Sequence, residues 1–316
     1  MKIIGTGSAL PHKVVTNDDL SKFLDTNDEW IRTRTGIQSR NILSTDTLTE
    51  LAIKASLDCI KNAKVDVKEI DYILCHSVIY DAIIPALSTF IHDARGSDCP
   101  TLDLNGACSG FIYALDIADS LIKAKKAKTI LIVCAEEPSK FVDWTKRETC
   151  VLFGDGAGAV MVREGGFDCK IHLKTQRTDA LYCGANFGNS PFDKQEKKDP
   201  YLYMRGRDVF KLAVQSSKKD IDYVLSEAGM TYDDVNYFLL HQANMRIIDF
   251  IKEQFGLNCE KFPHNIEYTG NTSSASIPLL LDEMNKNEQL KEGDVLVFSA
   301  FGAGFTSGAC LIKWEK

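Results

Sequence analysis

The run Asn105-Gly106-Ala107-Cys108-Ser109-Gly110-Phe111 contains the residue of this chain best suited to covalent chemistry. It reads as the end of a buried strand over Pro100 to Leu104, a tight turn of small residues, and the start of a helix. That helix carries Phe111, Ala114, Leu115, Ala118, Leu121 and Ile122 at spacings of three and four. Cys108 then stands at a helix N-terminus, where uncovered N–H groups and the helix dipole favour negative charge and push a thiol towards nucleophilic thiolate. The competing reading is a buried cysteine that acts only as a small hydrophobe.

Partners for Cys108 emerge from an internal repeat. Ile70-Asp71-Tyr72-Ile73-Leu74-Cys75-His76 returns as Val235-Asn236-Tyr237-Phe238-Leu239-Leu240-His241. Phe90-Ile91, Gly96 and Cys99 return as Phe250-Ile251, Gly256 and Cys259. The turn Gly106-Ala107-Cys108-Ser109 is echoed by Gly270-Asn271-Thr272-Ser273, again entering an apolar helix. Thr129 to Cys134, with the later Gly154 to Val160, parallels Val295 to Ser299 with Gly302-Ala303-Gly304. Offsets of about 150 to 165 residues recur in one order, too long for a solenoid and as expected of two copies of one unit. Strands alternate with helices, so each copy is an α/β unit, and we divide the chain into halves 1–165 and 166–316. On this model Cys108 and Asn271 occupy matching helix-entry turns, and His241 ends a buried strand beside them. A Cys, a His and an Asn then converge where the two halves meet, a place where pockets form. His76, the repeat partner of His241, is expected to be structural or at the surface.

Composition fits a soluble globular protein: 44% hydrophobic and 26% charged residues. The net charge of -7 argues against a nucleic-acid partner, which demands concentrated Lys and Arg. The 10 cysteines lie mostly in apolar runs without CxxC pairs, which suits a reducing compartment and offers no zinc or other metal pattern. No signal peptide or membrane-spanning run is apparent, so a cytoplasmic location without membrane association is expected.

The segments Asn105 to Phe111, His241-Gln242-Ala243-Asn244-Met245-Arg246 and Gly270-Asn271-Thr272-Ser273-Ser274-Ala275-Ser276 resemble the active-site motifs of the β-ketoacyl-[acyl-carrier-protein] synthase III family, of the thiolase-like superfamily. Asp25 to Ile37, Phe153 to Ala159 and Phe301 to Thr306 resemble it as well, and the likeness runs from end to end. The resemblance implies a five-layered αβαβα fold with two duplicated halves. It also implies a homodimer, with acyl-CoA as first substrate and malonyl-[acyl-carrier-protein] as second. Coenzyme A enters as a thioester substrate, and no cofactor is expected. Cys108 would take up the acyl group, with an oxyanion hole from the backbone N–H groups of Cys108 and of the turn at Ala303. His241, neutral, and Asn271 would donate hydrogen bonds to the oxygen that gains charge as malonyl loses carbon dioxide, and the resulting carbanion would attack acyl-Cys108.

By the same resemblance Trp30 and Arg147 would sandwich the CoA adenine. Arg34, Lys211, Arg246 and Lys252 would meet CoA phosphates or the acidic carrier protein, against the alternative that each is a solvated surface charge. Phe301 and Phe305 would either shield the site or belong to the core. Ile84, where many relatives carry an aromatic residue, would reach the partner's acyl pocket and leave it roomier, a change worth only about 1–3 kcal/mol in primer choice. The lysine-rich run Lys123 to Lys128 reads as a solvated helix end, and Cys183 to Lys198 as a mobile loop. The leading expectation is a condensing enzyme that starts fatty-acid biosynthesis. The alternatives are an acyltransferase or condensing enzyme of a specialised pathway and a non-catalytic carrier-protein-binding subunit. The acyltransferase would need a general base, which Asn271 cannot be, and the subunit would lack a nucleophile.

Overall fold

The computed structural model describes all residues except 97, 186–189, 193, 195 and 197. The first half runs β1 (Lys2–Ala9), β2 (Lys13–Thr16), α1 (Asn17–Ser21), α2 (Asp28–Thr35), β3 (Ser39–Ile42), α3 (Leu48–Ala63) and β4 (Tyr72–His76). It continues with α4 (Leu87–Arg95), β5 (Thr101–Leu104), α5 (Gly110–Lys123), β6 (Thr129–Glu136), α6 (Arg147–Cys150) and β7 (Gly156–Arg163). The second half runs β8 (Lys170–Thr175), β9 (Leu181–Cys183), β10 (Leu202–Met204), α7 (Gly206–Ala228), β11 (Tyr237–Leu240) and α8 (Met245–Phe255). It ends with α9 (Ile266–Thr269), α10 (Ser276–Lys286), β12 (Val295–Gly302) and β13 (Thr306–Lys313).

The first large sheet has the order β1-β7-β6-β4-β5 and the second the order β8-β13-β12-β11. In both, the inner pair is antiparallel (β7 on β6, β13 on β12) and the next strand joins in parallel (β4 on β6, β11 on β12). The halves therefore share one topology, and β5 is the added strand. The sequence placed β5 in the interior. It is instead the sheet's edge, with Leu102 exposed, because no strand pairs with its outer side among the described residues.

Apolar periodicity explains the layers. Helix α5 buries Phe111, Ile112, Ala114, Leu115 and Ala118, and α10 buries residues on most of its surface, as helices covered by sheets on two sides must. One core joins Leu74 and Ile132 of the first sheet, α5 and α10, and Leu239 and Phe298 of the second sheet. Phe111 meets Phe298 at 5.7 Å between ring centroids. The outer faces carry α3 and α4 on the first sheet and α7 and α8 on the second, each over its own apolar cluster. The order helix, sheet, helix, sheet, helix is the five-layered αβαβα fold. Helices α4 and α8 both end at a left-handed glycine, Gly96 and Gly256, as the repeat requires.

The register of the repeat at the helix entries differs from the sequence alignment. Short 3₁₀ turns at Ala107–Ser109 and Ser273–Ala275 precede α5 and α10, and their first residues have φ of 49° and 52°. On that match Asn271 corresponds to Asn105, and Cys108 corresponds to Ser274. Both asparagines do the same local work: Asn105 Oδ1 accepts from Ala107 N–H at 3.1 Å, and Asn271 Oδ1 from Ser273 N–H at 2.9 Å. Each side chain fixes a backbone elbow that non-glycine residues otherwise avoid.

Candidate active site

The two elbows and the ends of β11 and β12 meet around one pocket. Its volume is about 170 Å³, and Cys108, His241, Asn271, Ser273, Phe301, Gly302 and Ala303 line it, so the sequence-predicted Cys, His and Asn come together. Most of the remaining wall is apolar, and Leu152, Leu202, Met204, Val209, Phe210 and Ile247 in it were missed by sequence reasoning. These come from segments whose apolar residues read simply as core.

Cys108 lies two residues before α5. The expectation that this position makes it a thiolate is not met: burial pushes its thiol up to about 12, and the Ser273 hydroxyl, 3.3 Å from Sγ, pulls only partly the other way. Loss of water outweighs a helix terminus because an unsolvated thiolate is costly wherever it stands. Gly302 approaches the Cys108 backbone so closely that a Cβ there would lie 2.6 Å from Cys108 N. This brings the Ala303 turn beside Cys108. Neither the Cys108 nor the Ala303 N–H is paired with a turn or loop carbonyl among the described residues, as an oxyanion hole requires.

His241 is buried, and that burial pulls its ring down to about 3, so it is neutral at any working pH. Its Nδ1 lies 2.8 Å from Ser276 Oγ, which also accepts from Gln242 N–H at 3.3 Å. With the Ser276 hydroxyl donating to Nδ1, the ring hydrogen stands on Nε2. Asn271 has its Oδ1 committed to Ser273 N–H, so its remaining polar group is the amide donor. Phe301 stands edge-on to His241 at 5.3 Å and closes the wall, while Phe305, stacked on Phe301, belongs to the core.

His76 is fully buried and structural. Its Nε2 accepts from Gly106 N–H at 2.8 Å, and it packs so tightly on Gly110 that a Cβ there would come within 1.9 Å of the ring. Ser273, Ser276 and Glu136 are further residues of the site that the sequence did not single out. The elbow motif contains both serines, but nothing local marks Glu136, the last residue of an apolar strand.

The outer residues are less regular. The Arg34 and Arg147 guanidiniums lie 4.6 and 4.7 Å from the Trp30 ring centroid, and Arg147 also binds Asp25. The expected Trp30–Arg147 sandwich around a base is thus closed by direct cation–π contact, and Arg147 must move for a base to enter. Arg34 sits on the indole rather than extending outward. Lys211 and Arg246 are exposed, whereas Lys252 is held by Asp249 at 2.6 Å. Asn244 Nδ2 donates to Arg34 O, which ties the end of α2 to the start of α8 at the pocket mouth. Ile84 is 84% exposed on the loop before α4 and does not line the pocket. Lys123 pairs with Asp119 and Asp168 at the surface. Residues 186–189, 193, 195 and 197 of the predicted mobile loop over Cys183 to Lys198 lie outside the described residues, and Cys183 itself ends β9. No helix among the described residues is long and apolar enough to cross a membrane.

Two α/β halves of one topology, packed together as five αβαβα layers with Cys, His and Asn where they meet, define a thiolase-like condensing enzyme. Residues 102–178 match the model for 3-oxoacyl-[acyl-carrier-protein] synthase III, and residues 225–314 match that for its C-terminal part. The chain is 42% identical to the β-ketoacyl-[acyl-carrier-protein] synthase III of Clostridium acetobutylicum, over 100% of this chain and 99% of that one. The crystal structure of 3-oxoacyl-[acyl-carrier-protein] synthase III from Aquifex aeolicus VF5 superposes with a TM-score of 0.91 at 39% identity, over 99% of each chain. That of the β-ketoacyl-[acyl-carrier-protein] synthase III from Thermus thermophilus gives 0.93 at 37%, over 100% of this chain and 99% of that one. The chain belongs to the 3-oxoacyl-[acyl-carrier-protein] synthase III family.

Proposed function

We propose that this protein starts fatty-acid biosynthesis by joining an acyl-CoA primer to malonyl-[acyl-carrier-protein], with Cys108 carrying the acyl group. The convergence of Cys108, His241 and Asn271 on one apolar pocket carries this reading. Cys108 Sγ attacks the acyl-CoA carbonyl carbon, the oxyanion is held by the Cys108 and Ala303 N–H groups, and the bond to CoA sulfur breaks. Malonyl-[acyl-carrier-protein] then loses carbon dioxide while His241 Nε2–H and Asn271 Nδ2–H stabilise the enolate oxygen. The carbanion attacks the acyl-Cys108 carbonyl carbon, a carbon–carbon bond forms as the carbon–sulfur bond to Cys108 breaks, and the β-ketoacyl product leaves on the carrier protein. A neutral His241 is what this step needs, since a donor that holds its proton stabilises the enolate without quenching it. The chemistry closes with protein groups alone, and coenzyme A enters as substrate. Trp30, Arg34 and Arg147 receive the nucleotide end, and Lys211 and Arg246 face the carrier protein.

The bare edge of β5, with exposed Leu102 and the exposed loop residues Ile83 and Ile84, supports a homodimer in which a second copy pairs along β5 and receives Ile84 in its pocket. A cytoplasmic location accords with these substrates. The test is intact-mass spectrometry of the protein and of Cys108→Ser with a panel of acyl-CoAs, followed by malonyl-[acyl-carrier-protein]. A mass gain absent from the variant and discharged with carbon dioxide and a β-ketoacyl product supports the reading. A gain that malonyl-[acyl-carrier-protein] cannot discharge points to acyl transfer elsewhere, and no gain with any acyl-CoA refutes the role of Cys108.

A further inference from the structure

The repeat creates a second copy of the site's framework, and the chain has filled it. His76 matches His241, Ser274 matches Cys108, and Glu136 at the end of β6 matches Gly302 at the end of β12. Where Gly302 has no side chain and lies directly against the Cys108 backbone, Glu136 carries a fully buried side chain. Its Oε1 accepts from Ser274 Oγ at 2.6 Å and from Ser273 Oγ at 3.2 Å, and lies 3.1 Å from His76 Nδ1, while Oε2 accepts from Val78 N–H at 3.1 Å. Ser273 is the link to the active side, because the same hydroxyl lies 3.3 Å from Cys108 Sγ. A hydroxyl between a thiol and a carboxylate can accept from one and donate to the other.

We propose that Glu136, acting through the Ser273 hydroxyl, takes the proton of Cys108 during acyl loading and returns it when condensation frees the sulfur. The inference rests on Cys108 being the nucleophile. In loading, the Cys108 S–H proton passes to Ser273 Oγ, the Ser273 proton passes to Glu136 Oε1, and the sulfur electron pair forms the thioester as the carbon–sulfur bond to CoA breaks. The CoA thiolate takes a proton from water. In condensation the bond from carbon to Cys108 sulfur breaks, and the proton returns from Glu136 through Ser273 to the thiolate.

The other groups nearby do not serve. His241 is neutral but so reluctant to bind a proton that it is a poor base, and its Nδ1 is held by Ser276. His76 accepts from Gly106 at Nε2, so its Nδ1 already carries hydrogen. The titratable groups facing Glu136 are His76 and Cys75 from β4, Cys134 from its own strand, and Cys108 across Ser273. Burial holds the Cys75 and Cys134 thiols well above the neutral range. Cys108 is partly exposed on the pocket wall, and desolvation still raises its thiol, so a hydrogen-bonded acceptor on its buried side favours loss of the proton during loading.

The test compares wild type, Glu136→Gln and Ser273→Ala, with Cys108→Ala as the blank. It measures iodoacetamide alkylation of Cys108 from pH 6 to 9 and single-turnover acyl loading, both read by intact mass. Either variant is expected to slow loading by about tenfold or more, to lower the alkylation rate of Cys108 across this pH range, and to leave the KM for acyl-CoA unchanged. Wild-type loading rate and alkylation profile in Ser273→Ala overturn the relay, and that variant decides alone if Glu136→Gln does not fold. Failure of wild type to load any acyl group overturns the nucleophile assignment, and the relay with it.

Discussion

His241 Nδ1 and the Ser276 hydroxyl are 2.8 Å apart, and this contact sets which ring nitrogen of His241 faces the pocket with a hydrogen. Ser276→Ala removes the donor that holds the tautomer while leaving the ring in place. We expect the malonyl-decarboxylation step to slow by roughly tenfold, less than the roughly 10²-fold cost of deleting the donor itself in His241→Ala. Acyl loading of Cys108 should be little changed in Ser276→Ala, and single-turnover assays of the two half-reactions separate these outcomes.

The same histidine predicts a flat pH profile. Burial lowers its pKa to about 3, so the ring gains its proton only far below the ordinary imidazole range. Decarboxylation should therefore show no inflection near pH 6.5. Such an inflection, measured as carbon dioxide release between pH 5 and 8, would mean that His241 is more open to water than its packing indicates.

Asn271→Asp keeps the oxygen that accepts from Ser273 N–H but exchanges the amide donor for negative charge. Beside a developing enolate this both deletes a donor and adds repulsion. Condensation should fall by about 10²-fold or more with acyl-Cys108 still formed. Unchanged carbon–carbon bond formation in the variant would show that Asn271 only shapes the elbow.

Much of this was legible in the chain because the chemistry sits in short local motifs, and a repeat reveals itself by order. The matched turns and the end of β11 placed Cys108, His241 and Asn271 near one another although the turns were aligned out of register, whereas the αβαβα layering came only with the family resemblance. What was not legible depends on side chains reaching across the duplication. Glu136 ends a strand buried from Thr129 onward, and no local pattern separates it from a residue paired inside its own half. The thiolate expectation failed because a helix terminus is visible in sequence while desolvation is not. The edge position of β5 depends on which strand lies beside it, which Thr101 to Leu104 do not encode. The resemblance brought Trp30 and Arg147 near each other, but their direct contact across α2 and α6 depends on side-chain placement that the motifs do not encode.

Asp155, in the glycine-rich run before β7, gives a stability prediction. It is fully buried, and it accepts from Leu43 N–H at 2.8 Å, from Ser139 N–H at 3.0 Å and from Ser139 Oγ at 2.6 Å. Burial nevertheless raises its pKa from 3.8 to about 6. Below pH 4 the carboxyl is protonated in both folded and unfolded chains. Between pH 4 and 6 the unfolded chain loses the proton and the folded chain keeps it, so stability falls as pH rises, by about 3 kcal/mol. Denaturant unfolding of Asp155→Asn should lack this component of the slope, and an identical slope in both proteins would place the titration elsewhere.

The last prediction concerns binding rather than chemistry. Trp30 lies against two guanidiniums and does not line the pocket that holds the reacting sulfur, so its contacts are expected to be the same before and during bond-making. Interactions of that kind change KM and leave kcat alone. Trp30→Ala should raise the KM for acyl-CoA by roughly tenfold, as expected for loss of one aromatic stacking surface, with kcat within about twofold of wild type. A short acyl thioester without the nucleotide, such as an acyl-N-acetylcysteamine, should load Cys108 equally well in both proteins. If the variant is as impaired with the truncated thioester as with acyl-CoA, Trp30 supports the packing of α2 against the pocket instead of holding the nucleotide.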